Sequence, residues 1–491
     1  MKFCCSGIQQ KCQYEQEQYP SQKGRLGTPP VGLPMTQFLL PLSSCLVVCL
    51  VGCASVPNAK QLSTGPGHDP PVIQGSNHAL SPAQGEHAMA SVARFPGDDE
   101  KLQRQVAAEG QVAGTPLIAG NKVTLVQNGR PTYDLMEQAI LSAKTNISVE
   151  SYTIEGDSIG TAITDLLIEK HKQGVAVEVI YDSFGSQDTP TAFWDRLRAA
   201  GIAVLEYNPL NPEKAKVGYD PNDRDHRKCM IIDGKLVIMG GVNISEIYLY
   251  GGIEPGSIDR FWIPWRDTDI AVEGPVVAKY QQFFLDLWAS QKGDPLPQVQ
   301  FLPPLQPEGA SYIRAVPGTP QEGDPQIYVA LLSAIRHAEK NVWLTTAYFD
   351  PTQEALQVLA DAARRGVDVE LSVEGQTDSA LTLDAGRSHY HELLDAGVKI
   401  SERRDVFLHG KTATIDGVWS IVGSSNLDTR SVIWNNELST IVLGRDFAQQ
   451  MEATFAKDRA AGVAIDRQAW ENRPLIDRAS QWGARAFEVI L

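Results

Sequence analysis

The sequence predicts an α/β protein built from two similar domains, and three observations lead to this fold class. The chain has 491 residues, 43% hydrophobic and 21% charged, which is enough for two globular domains with sizeable cores. A pattern of helices and strands occurs twice along the chain in the same order. One polar motif also occurs twice, once in each half and at equivalent places of the repeat.

The repeat consists of three successive helix–strand units. Residues 135–154, LMEQAILSAKTNISVESYTI, parallel 328–349, YVALLSAIRHAEKNVWLTTAYF: an amphipathic helix, a polar turn and an apolar run rich in β-forming residues. Residues 159–182 parallel 353–375, each a helix that ends near a glycine and leads into a strand. FWDRLRAAGIAVLEYN and YHELLDAGVKISER repeat this order a third time. Each half is therefore expected to be a β/α domain of roughly 170 residues.

The polar motif reads His-x-Lys, four residues, Asp, six residues, Gly-(Gly/Ser)-x-Asn. Six constrained positions that recur at equivalent places exceed what chance matches produce. We therefore interpret the two copies as halves of one composite site rather than as two solvated strands. The copies consist of His226, Lys228, Asp233, Gly240, Gly241 and Asn243, and of His409, Lys411, Asp416, Gly423, Ser424 and Asn426.

The spacing has a chemical meaning on a β-strand. Alternate side chains share one face, so His226 projects beside Lys228, as His409 does beside Lys411. Near neutral pH, imidazole can act as a nucleophile or as a proton donor. Lysine offers a positive charge to phosphate oxygens, and a nearby asparagine can donate hydrogen bonds to them. Neither half alone supplies both a nucleophile and an acid, so the halves are expected to face each other.

The aspartate of each motif has two interpretations. Asp233 and Asp416 have a fixed spacing from the histidines, which favours a catalytic role. Each is also followed directly by a glycine, and Asp-Gly pairs are common in tight turns at strand ends. Catalytic and structural roles both remain open from the sequence.

Residues 120 to 460 resemble the phospholipase D superfamily, which is defined by paired His-x-Lys-x4-Asp motifs. Within it, the bacterial cardiolipin synthases look most similar, through AYFDP, AARRGV, LHGK, VGSSNLDTRSVIWNNE and WRDTDIAVEGP. The resemblance implies two phospholipase D-like α/β sandwich domains, each a mixed sheet flanked by helices, packed pseudo-symmetrically.

The resemblance also implies two-step phosphatidyl transfer that needs no metal and no cofactor. His226 would attack the phosphorus and form a phosphohistidine, and His409 would serve as acid and then base; which histidine attacks rests on the resemblance alone. Lys228, Lys411, Asn243 and Asn426 would bind the phosphate oxygens. Asp267 and Glu437 match the family's acids that orient the histidines. The favoured substrate is phosphatidylglycerol.

Other functions were weighed against this one. Phospholipid hydrolysis uses the same histidines and remains the main alternative. The formal net charge of −16 disfavours a nucleic-acid partner and hence a nuclease. The sequence GDSIG around Ser158 matches a serine-nucleophile elbow, although a helix start explains it better. A catalytically silent scaffold would require a damaged motif, and both copies are intact.

The N-terminal region carries a predicted export signal. Six of the seven cysteines lie in the first 53 residues, and FLLPLSSCLVVCLVGC is an apolar run too short for a spanning helix. Leu50-Val51-Gly52-Cys53-Ala54 resembles the lipobox of bacterial lipoproteins, in which the cysteine is lipidated. An uncleaved anchor is the alternative, and translation from Met1 or Met35 stays open. By resemblance, Ala54 favours the outer membrane, with the protein facing the periplasm.

The resulting domain organisation has five parts. Proline, glycine and polar residues dominate after Cys53, which predicts a flexible tether. The parts are a leader and lipoprotein signal (1–53), a flexible linker (54–115), a first domain (116–300), a second domain (301–465) and a C-terminal extension (466–491).

Overall fold

The computed structural model describes residues 72–75, 78–93, 99–214, 219–250, 263–319 and 325–487. The predicted leader, both candidate start methionines and the candidate lipidation site Cys53 lie outside these residues. Contacts group the described residues into one compact unit, so the domain boundary near residue 300 stays a prediction.

Strands and helices alternate through the first half of the described chain. Its strands are β1 (Ile73–Gln74), β2 (Leu117–Gln127), β3 (Asn146–Ser151), β4 (Ala176–Asp182), β5 (Ala203–Tyr207), β6 (Arg224–Asp225), β7 (Lys228–Ile232), β8 (Leu236–Gly240), β9 (Trp265–Arg266) and β10 (Thr268–Glu273). Its helices are α1 (Pro82–Val92), α2 (Asp99–Val112), α3 (Gly129–Ser142), α4 (Ser158–Lys172), α5 (Thr191–Ala199) and α6 (Val277–Ser290), with short 3₁₀ turns at Pro212–Lys214 and Glu246–Tyr248.

The second half repeats this order. Its strands are β11 (Ser311–Gly318), β12 (Asn341–Thr346), β13 (Asp368–Glu374), β14 (Lys399–Arg403), β15 (Phe407–Leu408), β16 (Thr412–Ile415), β17 (Trp419–Gly423), β18 (Asn435–Leu443) and β19 (Val463–Ala464). Its helices are α7 (Gln326–His337), α8 (Gln353–Arg364), α9 (Ala380–Ser388), α10 (Tyr390–Ala396), α11 (Thr429–Ile433), α12 (Arg445–Ala461), α13 (Arg467–Glu471) and α14 (Leu475–Ala484), followed by a 3₁₀ turn at Arg485–Phe487.

The sheet has the same strand order in both halves. The first half runs β5-β4-β3-β7-β8-β10-β2, with β3, β4 and β5 parallel and the rest antiparallel. The second half runs β14-β13-β12-β16-β17-β18-β11 with the same orientations. The antiparallel pair β2–β11 joins them. This duplicated mixed sheet with flanking helices confirms the predicted fold class.

Short strands cross between the halves where the two motifs lie. Strand β6, just before His226, pairs in parallel with the start of β18 in the second half. Strand β15, just before His409, pairs in parallel with β9 in the first half. The backbone N–H of His226 donates to the carbonyl of Asn436 at 2.9 Å, and that of His409 donates to Arg266 at 2.8 Å. The opposite half therefore holds each histidine.

Three apolar clusters stabilise this arrangement. One lies inside each half, around Ile147 and Val177 in the first and around Leu344 and Leu371 in the second. The third joins the halves: Val237 and Ile270 of the first pack with residues of β11, β17 and β18, with Phe284 of α6 and with Phe447 of α12. Burial of apolar surface between the halves stabilises their relative position at about 25 cal/mol per Å².

The predicted flexible linker is partly wrong. Residues 82–92 and 99–112 form α1 and α2, and Met89 and Val106 are almost fully buried in the core of the second half. Ser81 caps α1 in a capping box with Gln84. The polar composition of this segment did not indicate these two helices. They form because their apolar side chains pack against the rest of the protein. Within the described residues, no helix is both long and apolar enough to cross a bilayer.

Candidate active site

The first motif places His226 beside a carboxylate from the second half. His226 is buried, and its Nδ1 lies 3.0 Å from Oε1 of Glu437. Burial would raise the pKa of Glu437, but His226, Lys228 and a hydrogen bond from Ser424 outweigh it and lower the pKa, so the carboxylate is ionised. An ionised carboxylate only accepts hydrogen bonds, so Nδ1 carries the proton and Nε2 keeps its lone pair.

The second motif mirrors this arrangement with a carboxylate from the first half. The Nδ1 of His409 lies 2.6 Å from Oδ2 of Asp267. Lys411 and His409 outweigh the effect of burial and lower the pKa of Asp267. The structure thus brings Asp267 and Glu437 into contact with the two histidines, each from the half opposite its histidine.

The two acids have different neighbours, which explains the Gly/Ser variation in the motif. A Cβ at Gly241 would overlap with Oδ1 of Asp267, so only glycine leaves room for this carboxylate. At the equivalent position of the second motif, Ser424 donates a hydrogen bond to Glu437 through its hydroxyl. Asn435 donates a further one to Glu437 at 3.3 Å. The larger Glu437 is therefore fixed by side chains, and Asp267 by close backbone packing.

The motif lysines lie beside the histidines and are buried. Nζ of Lys228 donates to the carbonyl of His226 at 2.6 Å, and Lys411 makes the same contact with His409. Burial lowers the pKa of Lys228 to about 7 and that of Lys411 to about 8, although the two carboxylates oppose this change. Burying two positive charges costs free energy, so binding of an anion that pairs with them is favoured.

Both histidines are neutral in the free protein at neutral pH. Burial lowers the pKa of His226 to about 4, with Glu437 opposing. Burial and Lys411 lower the pKa of His409 to about 3, with Asp267 opposing. A bound anion would raise both values, because it adds negative charge beside the imidazoles.

One cavity of about 410 Å³ brings the two half-sites together. His226, Asn243, His409 and Asn426 all line it, whereas they lie up to 200 positions apart in the chain. Its volume falls in the range of small-molecule pockets. Its other lining residues include Tyr152, Glu155, Gly185, Tyr248, Trp265, Tyr348, Asp378, Thr382, Asp428, Arg430 and Asn435.

The asparagines and aromatic residues shape the cavity walls. Asn243 accepts a hydrogen bond from the backbone N–H of Thr153 at 3.0 Å and donates to the hydroxyl of Tyr248 at 2.8 Å. Rings of Tyr248 and Trp265 contact the His409 ring, with centroids 5.8 and 4.7 Å away. These aromatic residues were missed as site residues, because nothing in their local sequence distinguishes them from core residues.

Asp233 and Asp416, for which the sequence left catalytic and structural roles open, do not line the cavity. Asp233 follows β7 at the end remote from His226, roughly 20 Å away along an extended strand. Its carboxylate accepts hydrogen bonds from the backbone N–H groups of Lys144, Thr145 and Asn146. Asp416 does the same for Glu339, Lys340 and Asn341. Both residues have positive φ, as turn residues do. We therefore interpret their role as structural.

We expect Asp233→Ala to destabilise the protein without changing turnover per folded molecule. The substitution removes an acceptor for three backbone N–H groups and puts alanine at a φ of 53°. The free energy of unfolding should fall by about 2–4 kcal/mol. Urea unfolding and active-site-normalised kinetics measure the two effects. Asp233→Asn, which tolerates this φ, should lose less; a collapse of turnover with normal stability would contradict the structural role.

Ser158 does not form part of the cavity. It is the first residue of α4, and its hydroxyl donates to Glu246 at 2.8 Å. Asp157 caps this helix, and Thr352 caps the equivalent α8. The turn GDSIG is therefore a helix start, and the geometry gives no support to a serine hydrolase.

One group of possible metal ligands lies outside the cavity. Among the described residues, His391, Asp395 and Glu471 bring ligand atoms within 4.8 Å of one another at an exposed position. Arg467 forms ion pairs with both carboxylates, at 2.7 and 3.2 Å. These acids already have a cation partner, and the group does not contribute to the reaction site.

Comparisons with known proteins agree with the fold and the paired motifs. The family model described as cardiolipin synthase, PLD-like domain, matches residues 136–257 and 331–459, which include both motifs. Cardiolipin synthase 1 of Bacillus anthracis is 32% identical over 388 residues, which cover 77% of this chain and 74% of that protein. Cardiolipin synthase A of Pseudomonas syringae pv. syringae is 33% identical over 350 residues, covering 71% and 70%.

A solved structure supports the fold independently. The crystal structure of phosphatidylserine synthase from Haemophilus influenzae matches with a TM-score of 0.61 at 15% identity, covering 79% of this chain and 100% of that one. A duplicated sheet with paired His-x-Lys motifs facing one cavity defines a protein of the phospholipase D superfamily. The chain belongs to its cardiolipin synthase family, as the sequence resemblance predicted.

Proposed function

We propose that this protein transfers phosphatidyl groups between two phosphatidylglycerol molecules and produces cardiolipin and glycerol. The observation that carries the proposal is the pair of histidines at one cavity, each with Nδ1 bonded to an ionised carboxylate and Nε2 left for the substrate. Family membership supports phosphatidyl transfer as the type of reaction.

The first step forms a covalent intermediate. Nε2 of His226 attacks the phosphorus, the bond between phosphorus and the headgroup glycerol oxygen breaks, and the phosphatidyl group remains on His226. Protonated His409 donates its Nε2 proton to the departing oxygen, which leaves as glycerol. The bound phosphodiester supplies the negative charge that raises the pKa of His409 towards the protonated form.

The second step regenerates the enzyme. A glycerol hydroxyl of a second phosphatidylglycerol attacks the phosphorus and loses its proton to His409. The bond between His226 and phosphorus breaks, and cardiolipin forms. Lys228, Lys411, Asn243 and Asn426 stabilise the negative oxygens in both transition states, which is the electrostatic role that dominates phosphoryl transfer.

Incubation of the purified protein with phosphatidylglycerol vesicles tests the proposal. Equal amounts of cardiolipin and glycerol support it, and the His226→Ala protein serves as the control for contaminating activity. Phosphatidic acid as the main product would instead identify a hydrolase. Cleavage of DNA with no change in any phospholipid would overturn the lipid assignment.

We expect kcat/KM to fall as pH rises through about 7 to 8. The active form needs both lysines charged, and burial lowers the pKa of Lys228 to about 7 and of Lys411 to about 8. Deprotonation above these values removes the positive charge that binds phosphate. Initial rates at subsaturating substrate, measured between about pH 5.5 and 9.5, show this fall in kcat/KM. A flat profile through this range would contradict the proposed role of the lysines.

The proposed location is the bacterial cell envelope, with a lipid anchor at Cys53 and the protein facing the periplasm. The support is the lipobox-like sequence before Cys53 and the lipid substrate of the proposed reaction. Metabolic labelling with palmitate, lost in Cys53→Ser, tests the anchor, and membrane fractionation tests the outer membrane. An unlabelled wild-type protein would overturn lipidation.

A further inference from the structure

The C-terminal helix α14 exposes its apolar side chains. Leu475, Ile476 and Trp482 are 78%, 75% and 78% exposed. The residues of α14 that are buried are Gln481 and Ala484. A helix of a water-soluble protein normally turns its apolar stripe inward. In α14 the orientation is reversed, so its apolar face is available to an external apolar partner.

This helix packs against a helix that contributes to the lining of the catalytic cavity. That helix is α9, whose first turn contains Thr382, a residue of the cavity lining. The preceding Leu381 is 41% exposed. On the first half, Phe184 is 45% exposed and precedes Gly185, which also lines the cavity. We call Phe184, Leu381, Leu475, Ile476 and Trp482 the docking patch.

The cavity is too small to hold a whole phospholipid. A volume of about 410 Å³ accommodates a phosphate and its headgroup but not two long acyl chains. If the substrate is a phospholipid, as the proposed function has it, the chains must stay in the bilayer during the reaction. An apolar surface beside the mouth is where the protein would contact that bilayer.

The segment around α14 lacks the negative charge of the rest of the chain. The chain as a whole has a formal net charge of −16, whereas residues 466–491 contain four arginines and four acidic residues. An exposed tryptophan beside exposed aliphatic residues is typical of helices that lie in the membrane interface. A segment without net charge avoids the repulsion that the acidic body would meet at anionic lipids.

We propose that the docking patch inserts into the surface of an anionic phospholipid bilayer and holds the cavity mouth against it. This contact is separate from any acyl anchor at Cys53. The helix lies in the interface, with its apolar side chains among the upper acyl carbons.

Hydrogen–deuterium exchange of the full chain carrying Cys53→Ser tests the proposal. Vesicles of phosphatidylglycerol should slow amide exchange in residues 475–484 relative to the protein without vesicles. The triple variant Leu475→Ser, Ile476→Ser and Trp482→Ser should bind the anionic vesicles at least about tenfold more weakly. Leu141→Ser is the matched control, since Leu141 is 59% exposed at the far end of α3.

Measurements of turnover distinguish a failure of this proposal from a failure of the proposed function. The triple variant should act normally on monomeric short-chain phosphatidylglycerol and lose activity on vesicles through a higher apparent KM. Unchanged exchange on vesicles with normal turnover would overturn the docking patch alone. Protection that depends on protein concentration without vesicles would identify an interface between two copies and overturn it too. Vesicle-dependent protection without turnover would leave docking intact and overturn the proposed reaction.

Discussion

Replacing either motif histidine with alanine should abolish turnover, with a loss on the order of 10⁴-fold or more. His226 is the only proposed nucleophile, and His409 is the only proposed acid and base. The two residues line one cavity and have separate carboxylate partners, so neither can substitute for the other. Conversion of phosphatidylglycerol to cardiolipin measures the loss.

The two variants should fail at different steps. A phosphatidyl ester of para-nitrophenol has a leaving group that needs no proton, so the first step no longer depends on His409. The His409→Ala protein should release para-nitrophenolate in a burst equal to the enzyme concentration and retain the phosphatidyl group. The His226→Ala protein should show no burst. The reverse pattern would make His409 the nucleophile.

A third histidine provides the control for these variants. His171 lies near the end of α4, outside the cavity, with Nδ1 3.1 Å from the carbonyl of Val175. His171→Ala should keep normal turnover, which shows that loss of an imidazole alone has no effect. Near-normal activity in His226→Ala or His409→Ala would contradict the two-histidine mechanism.

The sequence predicted the fold and the motif residues because both depend on local patterns. The helix and strand periods recur in each half, so the repeat shows the duplicated sheet, and the spacing from His226 to Asn243 matches that from His409 to Asn426. Prediction failed where tertiary contacts decide the structure. Helices α1 and α2 form in a polar segment because Met89 and Val106 find a core to pack against.

The motif aspartates show the limit of spacing as evidence. Asp233 and Asp416 recur at a fixed distance from the histidines because both halves need the same turn at the end of the same strand. Recurrence alone does not separate a structural requirement of a repeat from a catalytic one. Their contacts do separate the two, since each aspartate binds backbone N–H groups at the end of its strand remote from the histidine.

Neutralising Asp267 or Glu437 should lower turnover by about 10²–10⁴-fold, the second-largest effect we expect. Asp267→Asn and Glu437→Gln keep side-chain size but remove the charge that fixes Nδ1–H on the partner histidine. An amide can donate to Nδ1 and stabilise the opposite tautomer, which protonates Nε2 and removes its lone pair. Thermal unfolding should accompany the kinetics, because each carboxylate also partly compensates a buried lysine.

The reaction step that is slowed in each acid variant should show that each acid acts on the histidine of the opposite half. Glu437→Gln acts on His226, so it should slow the para-nitrophenolate burst. Asp267→Asn acts on His409, so it should leave the burst intact and slow release of the phosphatidyl group to the acceptor. If each acid served the histidine of its own half, Asp267→Asn would slow the burst instead. Sequence order alone favours neither pattern.

Double variants test the same histidine–carboxylate pairs without the para-nitrophenol ester. Adding Glu437→Gln to His226→Ala should cause little further loss, because the acid acts only through that histidine. Adding Glu437→Gln to Asp267→Asn should reduce turnover by nearly the product of the single effects, since the two act on different histidines. The backbone explains why each acid comes from the opposite half. Strand β6 pairs with β18, and the residues that follow the paired positions are His226 and Glu437. Strand β15 pairs with β9 in the same way, and the residues that follow are His409 and Asp267. Neither half can therefore form a working histidine–carboxylate pair unless it is docked on the other.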